Sequence, residues 1–264
     1  MVSWNPDQYL KFAQERTQAS VDLAARVALD SPTGVIDVGC GPGNSTRVLR
    51  QRWPKARVVG IDNSREMIDK ARKEFPDGEW HVADAAALPE DLQYQVVFSN
   101  AVLQWIPDHR GLLPRLLRSV APGGCLAVQV PANHDSYLHR AVLAVAGRAR
   151  WRTLLTSYAA LLHYHTPEFY YGLLSAVGRV DMWQTTYYHV LDSHEALVEW
   201  YRGSGLRPLL ERLPDAAARA DFENEVLETC RPGYPAQSDG RVLFPFRRTF
   251  FVVYRPAADR GAPL

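Results

Sequence analysis

The chain has little sulfur and no concentration of charge. Only three cysteines, Cys40, Cys125 and Cys230, stand among 264 residues. Their number is odd and none forms a C-x-x-C pair, so neither a disulfide framework nor a zinc ribbon is expected. A reducing compartment, the cytoplasm, suits such a chain. Nothing places a base beside any cysteine, so a thiol nucleophile is not expected either. Formal net charge is +1, and no block of basic residues exists to track a phosphate backbone. That argues against nucleic acid as a partner, and it confines any cationic site to a local pocket. No apolar run approaches the length of a membrane span. The opening Met1-Val2-Ser3-Trp4-Asn5-Pro6-Asp7 is polar, so no secretory leader is expected. No G-x-S-x-G nucleophile elbow occurs, His and Cys lack metal-ligand spacing, and no internal repeat is visible. Against these absences stand 47% apolar and 22% charged residues, the balance of a globular protein.

The most informative stretch is Val35-Ile36-Asp37-Val38-Gly39-Cys40-Gly41-Pro42-Gly43-Asn44. A short apolar run reads as a buried parallel strand and stops on three alternating glycines. Ser45-Thr46-Arg47-Val48-Leu49 then resumes as helix. Strand, glycine loop and helix open a nucleotide-binding α/β unit. The spacing is G-x-G-x-G, not the G-x-G-x-x-G of a dinucleotide loop. Asp37 precedes the first glycine by two residues; a carboxylate there repels a pyrophosphate and suits a ligand carrying an ammonium group. This loop resembles the first motif of class I S-adenosylmethionine-dependent methyltransferases.

Before the loop, residues 1–30 read as helical, with Asn5 as cap, Pro6 in the first turn and an apolar stripe through Val21, Ala24, Ala25, Ala28 and Leu29. Trp4, Tyr9, Phe12 and Arg16 either pack this helix on the sheet or close over a ligand, Arg16 then offering a cation. Arg57–Asp62 reads as the second strand. It ends on Asp62, about twenty residues past the glycines, where a carboxylate can accept from both ribose hydroxyls. Asn63 with Glu66 forms a capping-box pattern. Residues 80–85 are the third strand and its exit at Asp84, and Gln95–Asn100 is the fourth. Asn100 sits where ligands bind in open parallel sheets. Gln104 and Trp105 line that pocket, or Trp105 is only core. Pro114 suggests that the following helix starts late or is kinked. Pro122-Gly123-Gly124 turns the chain into a fifth strand, Cys125–Val130.

Five strands alternating with helices imply an α/β fold with a parallel sheet covered on both sides. After Pro131 the pattern changes. Residues 134–165 mix helix formers with Tyr and His. A helix runs from Thr166 to about Val177, and residues 180–190 form a β-branched and aromatic strand. Residues 193–231 are helical. Val242–Tyr254 is a last strand, with Pro245 marking its entry or an edge bulge, and it partners 180–190.

The resemblance then narrows. Trp4-Asn5-Pro6 with Tyr9, Phe12 and Arg16, the glycine stretch to Thr46, Leu103-Gln104-Trp105, Thr185-Thr186-Tyr187-Tyr188-His189 and Gly205-Leu206-Arg207-Pro208 together resemble the trans-aconitate methyltransferases. This resemblance implies a Rossmann-like seven-stranded sheet, mostly parallel with an antiparallel last strand, plus helical lid insertions. It implies a single domain over 1–264, with a cofactor core at about 31–133 and lid segments at about 134–165 and 191–235. It implies S-adenosylmethionine as cofactor, with contacts from Asp37, Gly39, Gly41, Gly43, Asp62, Asn63, Asp84, Ala85, Asn100 and Gln104; Asp84 meets the adenine amino group. S-adenosylhomocysteine is the product.

The implied reaction is methyl transfer to a carboxylate of trans-aconitate or a related small polycarboxylic acid, giving a monomethyl ester. A carboxylate is already ionised at pH 7, so no catalytic acid or base is required, and none is apparent. Alignment of the two reactants carries the catalysis. Candidate substrate contacts are Tyr9, Arg16, Trp105, Tyr187, His189 and Arg207. No metal, membrane or nucleic acid is expected, and monomer and homodimer stay open. Two other readings remain: transfer to a phenol, quinone or carbon acceptor, and a non-catalytic S-adenosylmethionine-binding protein.

Overall fold

The computed structural model describes residues 13–88, 92–155 and 162–257, with side chains from residue 17 onward. Seven strands lie in one sheet: β1 (Gly34–Val38), β2 (Arg57–Asp62), β3 (Glu79–Val82), β4 (Tyr94–Asn100), β5 (Val120–Pro131), β6 (Arg179–Leu191) and β7 (Val242–Tyr254). Their spatial order is β3-β2-β1-β4-β5-β7-β6. Strands β1 to β5 pair in parallel; β7 runs antiparallel to both β5 and β6. The expected seven-stranded, mostly parallel sheet is thus observed.

The central strands are apolar on both faces because helices cover both. One face carries Val35, Val96 and Phe98 against α1 (Ala13–Arg26) and α2 (Asn44–Arg52), through Ala19, Leu23, Val48 and Leu49. The other carries Ile36, Val38 and Val97 against α4 (His109–Arg118) and α6 (Pro167–Leu174). Successive strand residues point to opposite faces, so a contiguous apolar run serves two cores. A third core lies beyond the sheet. There α5 (Tyr137–Ala146), α7 (His194–Arg202), α8 (Arg207–Leu210) and α9 (Ala216–Cys230) gather around Trp151, Phe222 and the ends of β6 and β7.

Several local expectations change. Helix α3 (Arg65–Glu74) is capped by Ser64, whose hydroxyl accepts from the Met67 amide and donates to Glu66, and not by Asn63. Helix α4 does not start late at Pro114. Asp108 caps it by accepting from the Gly111 amide, and it runs through the proline. Helix α6 ends at Leu174, earlier than Val177. Strand β5 starts at Val120, with its register against β4 broken between Tyr94 and Val96. Pro245 pairs with Tyr188 in unbroken register. It lies before Arg248, where pairing with β5 begins, so on that side no ladder partner is lost.

The three cysteines are buried and unpaired. Burial pushes the Cys125 thiol up to about 12 and the Cys230 thiol to about 11, far from thiolate chemistry at neutral pH.

Candidate functional site

A cavity of about 1020 Å³ opens at the carboxyl ends of β1, β2 and β4. It lies on the switch point of the sheet, where β1 stands between β2 and β4 and successive crossovers diverge. Its other wall comes from β7, α7 and the segment around Tyr164.

The first half is built largely from backbone. The Gly39 and Cys40 amides both donate to the Ile61 carbonyl, at 2.8 and 2.9 Å. The Gly41 amide donates to Asp62 Oδ2 at 3.0 Å, and the Ser64 amide to Asp62 Oδ1 at 2.9 Å. Asp62 therefore ties the glycine loop to the end of β2 and faces the cavity as well. Burial raises its carboxyl against those two amide bonds. Gly39 has φ +75°, and a Cβ there would lie 2.2 Å from Val102 Cγ2, so only glycine fits. Asp84 accepts from the Ala86 amide at 2.8 Å and so caps the turn Ala85–Ala87 along the rim.

At the end of β4 the chain is strained: Ala101 has φ +58°, the one non-glycine residue among those described with a positive φ. The bend brings Asn100 and Gln104 to the same wall. Gln104 Nε2 donates to the Ala101 carbonyl at 2.7 Å. Its Oε1 and Asn100 Oδ1 are buried and accept no hydrogen bond from the described residues. Two orphaned acceptors in the same cavity as the Asp62 carboxylate suit a ligand that brings a cation and hydroxyl groups.

Of the candidate cofactor contacts, Gly39, Gly41, Asp62, Asn63, Asp84, Ala85, Asn100 and Gln104 line this cavity. Asp37 and Gly43 do not. Asp37 is 0% exposed beneath the loop, where Oδ2 accepts from Ser45 and Thr46 hydroxyls at 2.6 Å each. Burial pushes its carboxyl up to about 6 despite those bonds, and Oδ1 has no partner among the described residues. Gly43 caps α2 and is packed against Phe75 and Trp80.

The second half is built from side chains. Arg248 is 4% exposed and lines the cavity. Its Nη1 donates to Gln129 Oε1 at 3.1 Å, and its guanidinium lies over the Phe246 ring at 4.6 Å. Tyr164, Trp200, Tyr201 and Asn133 join it, the last with a buried Oδ1 that has no partner among the described residues.

Candidate substrate contacts are placed unevenly. Trp105 lines the cavity. Tyr187 stands behind Arg248, 5.8 Å from ring centroid to guanidinium, and its hydroxyl donates to Asp22. His189 is buried and stacks on Trp200 at 4.3 Å, one layer behind the wall. Arg207 Nε donates to Glu211 at 3.0 Å on α8; its neighbour Pro208 lines the cavity. Tyr9 lies outside the described residues, as does the side chain of Arg16.

Arg248 lies in the last strand, Val242–Tyr254, and is not among the candidate substrate contacts. The signal was there: Phe244, Phe246, Arg248 and Phe250 alternate and are all buried, so the arginine shares the inward face of a strand. Tyr164, Tyr201 and Asn133 carry no such local signal, since each reaches the cavity from a different element.

Residues 35–124 match a family model described as a methyltransferase domain. A trans-aconitate 2-methyltransferase from Azoarcus sp. (strain BH72) is 47% identical over 259 residues, covering 97% of this chain and 100% of the relative. One from Methylobacterium nodulans is 47% identical, covering 97% and 99%. Among solved structures, the YcgJ protein from Bacillus subtilis aligns with a TM-score of 0.59 at 12% identity, covering 91% of this chain and all of that one. Haemonchus contortus phosphoethanolamine N-methyltransferase 2, solved with S-adenosylhomocysteine, gives 0.59 at 15% identity over 95% of this chain and 57% of that one. These two show a shared fold.

Proposed function

The chain belongs to the trans-aconitate 2-methyltransferase family, and from that premise we propose that Arg248 and its neighbours present a substrate carboxylate to S-adenosylmethionine held over the glycine loop. The activity is S-adenosylmethionine-dependent methylation of trans-aconitate, giving a monomethyl ester. The observation that carries the residue assignment is a buried arginine lining the same cavity as Asp62.

S-adenosylmethionine, when bound, supplies a methyl group on a positively charged sulfur. The chain's own residues do the rest. Asp62 accepts hydrogen bonds from ribose hydroxyls, and Asp84 meets the adenine amino group. The free oxygens of Asn100 and Gln104 face the cationic end. Arg248 offers a planar fork to a carboxylate, which a lysine cannot match. Its position against Phe246 and Tyr187 limits its motion. The accepting carboxylate has a pKa near 4 in water and needs no deprotonation. The cavity therefore has no proton to move, and its task is alignment, which contributes about 7–11 kcal/mol in favourable cases. Apolar walls from Trp105, Trp200 and Phe246 exclude water from a weak nucleophile.

On the same reading the chain is one domain, with a cofactor core at about 31–133 and a lid from about 134–165 and 191–235, working in the cytoplasm on a small polycarboxylic acid. No helix among the described residues is long and apolar enough to cross a membrane. The test is incubation of the purified chain with methyl-labelled S-adenosylmethionine and a panel of di- and tricarboxylic acids. Base-labile label on trans-aconitate, lost in Arg248→Met with cofactor affinity retained, is the expected result. Label that persists undiminished in Arg248→Met removes Arg248 from the substrate side. Label only on phenols or quinones removes the carboxylate reading.

A further inference from the structure

Beyond β4 a short turn, Leu103–Trp105, carries Gln104 into the cavity wall. The turn follows Ala101, whose positive φ must be held by its surroundings. Its own backbone bonds run from the Trp105 amide to the Val102 carbonyl and from the Ile106 amide to the Leu103 carbonyl, each 2.9 Å. A single turn of this kind does not hold its shape alone. Donors from other segments reach it. The His163 amide donates to the Gln104 carbonyl at 2.8 Å. His109, the first residue of α4 and 1% exposed, places Nε2 2.7 Å from the Leu103 carbonyl.

The proton of that last bond can be assigned. A carbonyl oxygen only accepts, so the proton sits on Nε2. The other ring nitrogen, Nδ1, lies 3.0 Å from the Tyr170 hydroxyl. Burial holds the His109 imidazole below the usual histidine range, so the ring is neutral at pH 7 and Nδ1 accepts from that hydroxyl. Tyr170 is fully buried on α6 and packs on Phe251 of β7, with centroids 4.9 Å apart. The His165 ring packs against His109 at 4.6 Å. Two directed bonds thus run from Tyr170 to His109 and from His109 to Leu103, one residue from Gln104. Gln104 Nε2 is anchored on the Ala101 carbonyl, so the turn sets where Oε1 stands. We propose that His109 is a positioning residue for the cofactor: its Nε2–H bond to the Leu103 carbonyl fixes the turn and so holds Gln104 Oε1 toward the cationic end of S-adenosylmethionine. The inference rests on the assignment of Gln104 to the cofactor in the reading above.

The test uses the full chain and reads S-adenosylmethionine affinity by calorimetry. Glutamine places its amide nitrogen near the Nε2 position of histidine, and asparagine places its own near Nδ1. His109→Asn weakens binding by about tenfold, the scale of one buried hydrogen bond. His109→Gln stays within about threefold of wild type, because the donor is restored. In a Gln104→Ala background His109→Asn adds less than about twofold, because the group it positioned is gone. A readout in wild type needs no variant to fold. The His109 Nε2 proton is followed by NMR and assigned by its Overhauser contacts to Leu103 and Tyr170. Coupling between sites is reciprocal, so saturating S-adenosylmethionine slows exchange of this proton with solvent by about tenfold or more. Affinity within threefold of wild type in His109→Asn, an equal loss in His109→Gln, full additivity with Gln104→Ala, or an exchange rate that the cofactor leaves unchanged overturns the proposal. Wild-type affinity in Gln104→Ala alone overturns the assignment of Gln104 to the cofactor, and this inference with it.

Discussion

The two halves of the cavity hold opposite kinds of chemistry on opposite kinds of support. On the cofactor side, backbone amides set the shape: three consecutive loop amides, those of Gly39, Cys40 and Gly41, are satisfied at the end of β2 by the Ile61 carbonyl and the Asp62 carboxylate. The polar groups there include acceptor oxygens, those of Asp62, Asp84, Asn100 and Gln104. On the substrate side the groups are a guanidinium and hydroxyls, carried by β7, α7 and the segment around Tyr164. Their positions depend on how the third hydrophobic core packs on the sheet. A site built from backbone tolerates little change in the loop itself. A site built from side chains on packed helices can be retuned one residue at a time.

Four substitutions sharpen that contrast, taken in order of expected effect. Gly39→Ala strikes the backbone half. It forces a side chain into a left-handed conformation and onto Val102, itself a wall residue. Strain of this kind costs about 1–3 kcal/mol, and with Val102 displaced the loss of S-adenosylmethionine affinity is about 100-fold by calorimetry. Affinity within threefold of wild type means that the loop bends freely and the contrast fails. Asp62→Ala removes one carboxylate from the same half. Cofactor binding weakens by about 1–3 kcal/mol, the scale of a charged hydrogen bond, while the substrate KM at saturating cofactor stays near wild type.

Arg248→Lys does the reverse. It keeps the charge and loses the fork, so the trans-aconitate KM rises by about tenfold and cofactor affinity holds. Equal losses on both sides show one coupled site in place of two. Arg207→Ala has the smallest effect. The Arg207 guanidinium is already engaged with Glu211, and a pair of that kind is worth about 0–1 kcal/mol. A steady-state KM within about threefold of wild type is expected; a tenfold rise moves Arg207 into the substrate half.

The same contrast explains how much was legible beforehand. The parallel strands and the order of their glycine loop, acid and helix are local in sequence, and Gly39, Gly41, Asp62, Asn100 and Gln104 stand at the cavity as their spacing suggests. Asp37 lies differently. A carboxylate two residues before a glycine suggests a group that meets the ligand, whereas in the fold it turns beneath the loop to Ser45 and Thr46. Strand alternation put it on that side, and the sequence of a strand does not say which face the ligand occupies. Tyr187 and His189 are aromatic neighbours of the cavity residues Arg248 and Trp200.

From the linear chain alone follow the sheet class, the family and the half of the cavity that bonds through backbone, because each is carried by motifs contiguous in sequence or by one strand-loop-helix unit and the strand that follows it. Only packing decided the rest. Bringing Arg248 to the same cavity as Asp62 requires β7 to fold back between β5 and β6. Bringing Tyr164, Tyr201 and His139 into contact requires helices from distant stretches to share one core. No local pattern encodes such meetings, because what selects them is the joint burial of apolar surface far apart in the chain.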